Sequence, residues 1–296
     1  MTINIFRSKV LKKTTNNNVD PITTEIIRNS LNSAAEQMKR ALCRTAMSPV
    51  IYEVLDFAGA IYDNHLRLLS QAPSLPLFMG TLNFCIEEAV KGVGGEKNLN
   101  EGDIIIYNSP YGTGSHPQDA ALVAPVFFEN ELIAYTVIKA HWLDIAGKEP
   151  YSTDTVDVFQ EGTIYPGVKL FNKGKLVEDI YKMCIANTRV PNSVAGDINA
   201  QAIGVKAGAT ALKRILSKYG IKKFKIAGIG GGRWGILNQG YRLLNDHIEL
   251  VNKFSHKFLT DFESDEENPQ IELSKQSVLP FAPEPLSEWR NVENII

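Results

Sequence analysis

Ala121-Leu122-Val123-Ala124-Pro125-Val126-Phe127-Phe128, the polar pair Glu129-Asn130, and then Leu132 through Ala140 together decide the fold. Two apolar, β-prone runs flank a short polar turn, which is the pattern of a β-hairpin. A hairpin brings its two open ends together. Both open ends here carry chemistry. Ahead of the first strand stands Asn108-Ser109-Pro110-Tyr111-Gly112-Thr113-Gly114-Ser115-His116-Pro117-Gln118-Asp119, too rich in Gly and Pro to be helical. After the second stands Lys139-Ala140-His141-Trp142-Leu143-Asp144. The chain has five histidines, and His116 and His141 each precede an aspartate by three residues, Asp119 and Asp144. The hairpin therefore gathers four candidate ligands at one end.

Aspartate and histidine together offer oxygen and nitrogen donors, which suit Zn²⁺, Mn²⁺ or Fe²⁺ better than thiophilic metals. The plainer reading is that His116 caps a turn and His141 is a hydrogen-bonded histidine at a strand end. Spacing alone leaves both open.

Upstream, residues 1–19 read as a flexible polar and basic arm. Asp20-Pro21 then opens an amphipathic helix through Ile26, Ile27, Leu31, Ala34, Met38 and Leu42. Ser48-Pro49 should follow its end. Val54 to Tyr62 reads as a strand, Asp63-Asn64-His65 as a turn, and Leu66 to Leu69 as a returning strand. Asp56 is then an acid within an apolar strand. A buried carboxylate needs a partner or a metal, whereas on an edge strand it would face solvent. Residues 71–80 form a proline-bearing loop, Leu82 to Val90 a short helix, and Ile104 to Tyr107 a strand.

Downstream, residues 145–168 are expected to be a long binding loop carrying Asp154, Asp157, Gln160 and Glu161. Val168 to Val177 is a second hairpin and Glu178 to Asn187 a helix. Ala195 to Tyr219 forms a long helix, with Asp197 as its cap and Gly220 as its stop. Gly228 to Gly235 lacks the spacing of a phosphate-binding loop and reads as a connector. Residues 221–261 are a divergent, helical segment. The acidic, proline-bearing residues 262–296 are a loose tail. The fold class is α+β, with mixed or antiparallel sheets and hairpins flanked by long helices.

Composition excludes several classes. With 296 residues, 44% of them hydrophobic, the chain can bury a large core. Its 31 basic and 33 acidic residues give a net charge of −2, so nucleic acid is not the expected partner. Cys43, Cys85 and Cys184 form neither a disulfide framework nor a CxxC metal site. No secretory leader or membrane-spanning run is seen. A cytoplasmic protein without membrane contact is expected.

Residues 20–220 resemble the hydantoinase B/oxoprolinase family, which includes the metal-bearing subunits of acetone and acetophenone carboxylases and of caprolactamase. The likeness rests on stretches 20–29, 44–49 and 55–57, on Ser70-Gln71-Ala72-Pro73, and on 108–119. It continues at Ala140-His141, Asp144-Ile145, Gln160-Glu161-Gly162 and Ala186-Asn187-Thr188-Arg189. The resemblance implies a divalent metal held by Asp56, His116, Asp119 and His141. Asp144 matches an aspartate beside that metal and is expected to serve catalysis by orienting a ligand. The resemblance further implies a hetero-oligomer with a hydantoinase A-type subunit that binds ATP and activates a cyclic amide or a ketone. The same Lewis acid would serve ring opening in the amidases and carbon–carbon bond formation in the carboxylases.

Four positions depart from the family pattern, one of them Ser109, in an NDPY-type motif that reads Asn108-Ser109-Pro110-Tyr111 here. Trp142 stands where many relatives have a second histidine, and Ser74 and Phe78 replace residues of the proline-bearing loop. These changes spare the four ligands and are expected to reshape the substrate pocket. The resemblance ends at Gly220, so the chain reads as a short form lacking the family's C-terminal half. Such a form could also be a silent assembly protein.

Overall fold

A computed structural model describes residues 19–113, 115–150, 152 and 154–262, with side chains through residue 227. The expected arm and tail lie outside the described residues except at their inner ends. The chain divides into two compact units, Met1–Ile236 and Leu237–Ile296. All that follows concerns the first.

Seven strands form one sheet: β1 Phe57–Asp63, β2 Leu68–Gln71, β3 Ile104–Tyr107, β4 Asp119–Phe128, β5 Glu131–His141, β6 Pro166–Asn172 and β7 Lys175–Leu176. Their order is β2-β1-β5-β4-β3-β6-β7. Every pairing is antiparallel, so the expected α+β class holds and its sheet contains no parallel pair. The β4–β5 hairpin is the centre, as its two apolar runs require. Pro125, which cannot donate to a ladder, is tolerated because β3 pairs with β4 only as far as Val123.

Both faces of the sheet are covered, so β1 and β3 are buried along their whole length. Alternation sends Phe57, Ile61, Leu122, Ile138 and Ala140 to one face. There they meet helix α1, Pro21–Thr45, and helix α8, Pro191–Phe262. Ala58, Ala60, Ala121, Val123, Tyr135 and Val137 face the other way, onto helix α4, Leu82–Gly92. The remaining helices are α2 Pro49–Tyr52, α3 Pro76–Met79, α5 Pro110–Thr113, α6 Val158–Glu161 and α7 Glu178–Ala186. Among the described residues, no helix is long and apolar enough to cross a membrane.

The ends of α1 follow the sequence signals. The Asp20 carboxylate accepts from the Thr23 backbone N–H at 2.9 Å, and Pro21 fills the first turn. Of the periodic residues, only Ile26 is exposed, at 43%. Other expectations need correction. β1 begins at Phe57 rather than Val54, because Leu55 adopts φ 61°, which an extended strand cannot contain. β2 starts two residues late, at Leu68, after Leu66 at φ 57°. Three supposed loops each hold one helical turn, α3, α5 and α6. α8 begins at Pro191, four residues before Ala195. Gly220 does break it, at φ 77°, but the backbone is helical again beyond, including the stretch read as a connector.

Candidate metal centre

The registers of three adjacent strands set up the site. Asp119, the first residue of β4, pairs with His141, the last of β5. Phe57 pairs with Ala140, so the residue before β1, Asp56, lies beside His141, and its carbonyl accepts from the His141 backbone N–H at 3.1 Å. Asp56, His141 and Asp119 thus form a row across one end of the sheet. Alternation puts all three on the α4 face, in phase with Ala58, Val137 and Ala121.

Asp56 is aimed by local backbone. Leu55 at φ 61° ends the α2 region with a sharp turn, and the Asp56 N–H donates to the Val50 carbonyl at 3.0 Å. A left-handed leucine is an uncommon, strained conformation of the kind found beside functional groups. Asp56 is therefore not inside the strand. It is not at a sheet edge either, because β1 lies between β2 and β5.

His116 comes from the loop joining α5 to β4. It is tied to Asp119 twice. Its N–H donates to Asp119 Oδ2 at 3.0 Å, and the Asp119 N–H donates to its carbonyl at 3.1 Å. The His116 and His141 rings stand edge to face, 6.2 Å apart. His141 Nδ1 lies 2.7 Å from Asp119 Oδ1 and 4.0 Å from Asp56 Oδ2. One ligand atom from each of His116, Asp119 and His141 falls within a 4.8 Å group. Asp56 Oδ1 is buried with no hydrogen-bond partner. Burial, and then the charge of Asp119, push the Asp56 carboxyl above the ordinary range, although His141 and His116 pull the other way.

Two imidazoles and a carboxylate whose ligand atoms gather in one group fit a divalent cation, and the adjoining Asp56 carboxylate, with a buried unpartnered oxygen, is a further donor such a cation would satisfy. The four opening candidates do not all converge, however. Asp144 is 2% exposed, and its carboxylate accepts from Arg189 Nη1 at 2.7 Å and from the Arg189 backbone N–H at 2.5 Å. Arg189 also donates to the Gly147 carbonyl. Asp144 pins the start of the 145–165 segment and does not line the cleft.

That cleft opens over the row, with a volume of about 850 Å³, a size that admits a small organic ligand. Asp56, His116, Asp119 and His141 line it together with Thr155, Asp157 and Glu161 of the 145–165 segment. Among the described residues, no lysine or arginine lines it. Asn108 fastens that segment to the ligand loop. Its Nδ2 donates to the Pro117 and Thr163 carbonyls at 2.6 and 2.8 Å, and its Oδ1 accepts from the Tyr165 N–H at 2.5 Å. Gln118 adds a donation to the Glu161 carbonyl at 2.9 Å. Sequence reasoning overlooked both; an asparagine and a glutamine inside the matched 108–119 stretch were the available signal.

The departures at 74, 78 and 142 divide. Phe78 does line the cleft. Trp142 does not. Being next to His141, it points to the opposite face, where it is fully buried and donates from Nε1 to Gln201 Oε1 at 2.6 Å. Ser74 instead donates to the Ala72 carbonyl at 3.1 Å.

Comparison with known proteins agrees with this architecture. The beta chain of caprolactamase from Pseudomonas jessenii is 33% identical over 211 residues, covering 71% of this chain and 36% of that one. The crystal structure of the ATP-dependent caprolactamase from that organism superposes with a TM-score of 0.68 at 32% identity, over 72% of this chain and 37% of that chain. The B component of a putative D-/L-hydantoinase from Pseudomonas sp. is 31% identical over 239 residues, 79% of this chain and 39% of its own. A nucleotide-free acetone carboxylase, at 20% identity and TM-score 0.67 over 73% of this chain and 29% of that one, shares the fold. The chain thus spans little more than a third of the length of these two curated relatives, and 16% of the 5-oxoprolinase of Dictyostelium discoideum. The Hydantoinase B/oxoprolinase family model matches residues 20–229, nine residues past the expected limit at Gly220, and with most of the chain inside that match the protein belongs to the hydantoinase B/oxoprolinase family.

Proposed function

We propose that this chain is the metal-binding part of an ATP-dependent amidase that opens cyclic amides, acting with a hydantoinase A-type subunit that uses the ATP. The observation that carries this reading is the grouping of ligand atoms from His116, Asp119 and His141, with the Asp56 carboxylate, one of whose oxygens is buried and unpartnered, next to His141. Asp56, His116, Asp119 and His141 would hold the metal, Zn²⁺ or Mn²⁺. When bound, it supplies a Lewis acid at the cleft floor. Asp119 orients both imidazoles, one through its hydrogen bond with the ring of His141 and one through the backbone of His116. The cleft is otherwise uncharged or acidic, which suits a neutral lactam or hydantoin ring better than an anion. Leu77, Tyr111 and Val156, exposed by 60%, 86% and 82%, stand around its mouth. Exposed apolar groups there support coverage by another polypeptide.

The test is co-expression with the ATP-binding subunit and a screen for ATP-dependent turnover. Hydrolysis of lactams or hydantoins, lost in His116→Ala, is the expected result. Carboxylation of ketones by the same pair would place the chain with the carboxylases instead. No ATP-dependent turnover despite a formed complex would favour an assembly role.

A further inference from the structure

Three of the four metal-site residues are set by the sheet, but His116 is exposed and sits on a loop. Its backbone bonds to Asp119 hold it from one side. A further constraint lies one residue earlier. Lys139, on β5 two residues before His141 and on the same face, is 1% exposed. Its ammonium donates to Ser115 Oγ and lies 5.0 Å from the centre of the Phe78 ring. Ser115 Oγ is its one hydrogen-bond partner among the described residues, and no carboxylate pairs with it there. A buried cation whose direct partners are a hydroxyl and a ring face is costly, and a methionine of similar length would fill the space more cheaply. Such a local expense is expected where a side chain serves a site rather than the fold.

We propose that Lys139 is a positioning residue of the metal centre: by holding Ser115 it fixes the loop that presents His116 to Asp119 and His141. This rests on the metal-binding reading. It also makes a sign distinction. A buried ammonium near a cation repels it, so if charge alone mattered, removing Lys139 would tighten metal binding. If positioning dominates, removal weakens it.

The test uses the full chain, stripped of metal and titrated with Co²⁺, in wild type, Lys139→Met, Ser115→Ala, His116→Ala and the Lys139→Met/His116→Ala double variant. Lys139→Met and Ser115→Ala should each bind about tenfold to a hundredfold more weakly, the range for groups that orient a ligand. The visible spectrum of Co²⁺ bound to Lys139→Met should move toward that of His116→Ala. Because Lys139 acts through His116, the double variant should bind no worse than His116→Ala alone. Metal-free Lys139→Met should melt no lower than wild type. Ser115→Ala, which barely alters packing, carries the test should Lys139→Met not fold. Unchanged or tighter binding in the Lys139 and Ser115 variants overturns the proposal, as does an additive double variant. A wild type that binds no Co²⁺ would instead sink the metal reading beneath it.

Discussion

Asp56 Oδ1 is the atom whose surroundings most need explaining. It is buried, it accepts no hydrogen bond, and its carboxyl is held above the ordinary range by burial. At neutral pH the ionised form therefore costs the metal-free fold stability. Asp56→Asn should lower metal affinity by more than about tenfold while leaving the metal-free melting temperature unchanged or higher. Calorimetric titration and thermal unfolding of the same samples separate the two effects. The ligand set was only partly legible in the sequence. His116, Asp119 and His141 follow from a hairpin and its ends. Asp56 stood out as an acid in an apolar run but joined the other three only through the family resemblance, because its placement depends on a left-handed Leu55 that no pattern announces. Asp144 shares the His-x-x-Asp spacing yet is engaged by Arg189, a partner 45 residues away.

Elements with repeated apolar spacing or caps were readable: α1, α4, β3 and the β4–β5 hairpin fall close to their expected bounds. One-turn helices such as α5 are too short to show a repeat and were missed. Asp197 was expected to cap α8. It lies within that helix instead, fully buried, and its Oδ1 accepts from the Met47 and Ser48 N–H groups at 2.8 and 3.0 Å. It thereby caps the segment entering α2, which leads to Asp56. Burial raises the Asp197 carboxyl above 3.8, outweighing those two donations. A raised folded-state value means stability that is complete below the ordinary value and lost as pH rises through the raised one. Relative to Asp197→Asn, the wild type should therefore gain stability as pH falls from neutrality toward about 4, measured by denaturant unfolding. Gln201, also on α8, binds Trp142 and donates to the Ala120 and Ile138 carbonyls at 3.0 and 3.2 Å. Gln201→Leu strands the Trp142 N–H and should cost about 1–3 kcal/mol of stability. α8 can pack this closely because residues 204 and 208 are glycines. A Cβ there would lie 2.4 Å from Ile138 Cδ1 and 2.4 Å from Met38 Sδ, respectively.

At the scale of the molecule, one antiparallel sheet is covered by α1 and α8 on one face and α4 on the other, and it presents a metal-fitting row at one end. The class was legible from the hairpin signals, and the long helices from their apolar spacing. The 145–168 segment was legible as a long loop, though not its turn of helix or its fastening through Asn108. If another polypeptide covers the cleft, Tyr111→Asp and Val156→Asp should reduce co-purification of a hydantoinase A-type subunit without changing metal content. The central claim is that this row binds a divalent ion. Elemental analysis and Zn²⁺ titration of the metal-stripped full chain test it most directly. Wild type should take up about one ion per chain, and His116→Ala and Asp119→Ala should bind it far more weakly. A wild-type chain that binds Zn²⁺ and Mn²⁺ no more tightly than those two variants would contradict it.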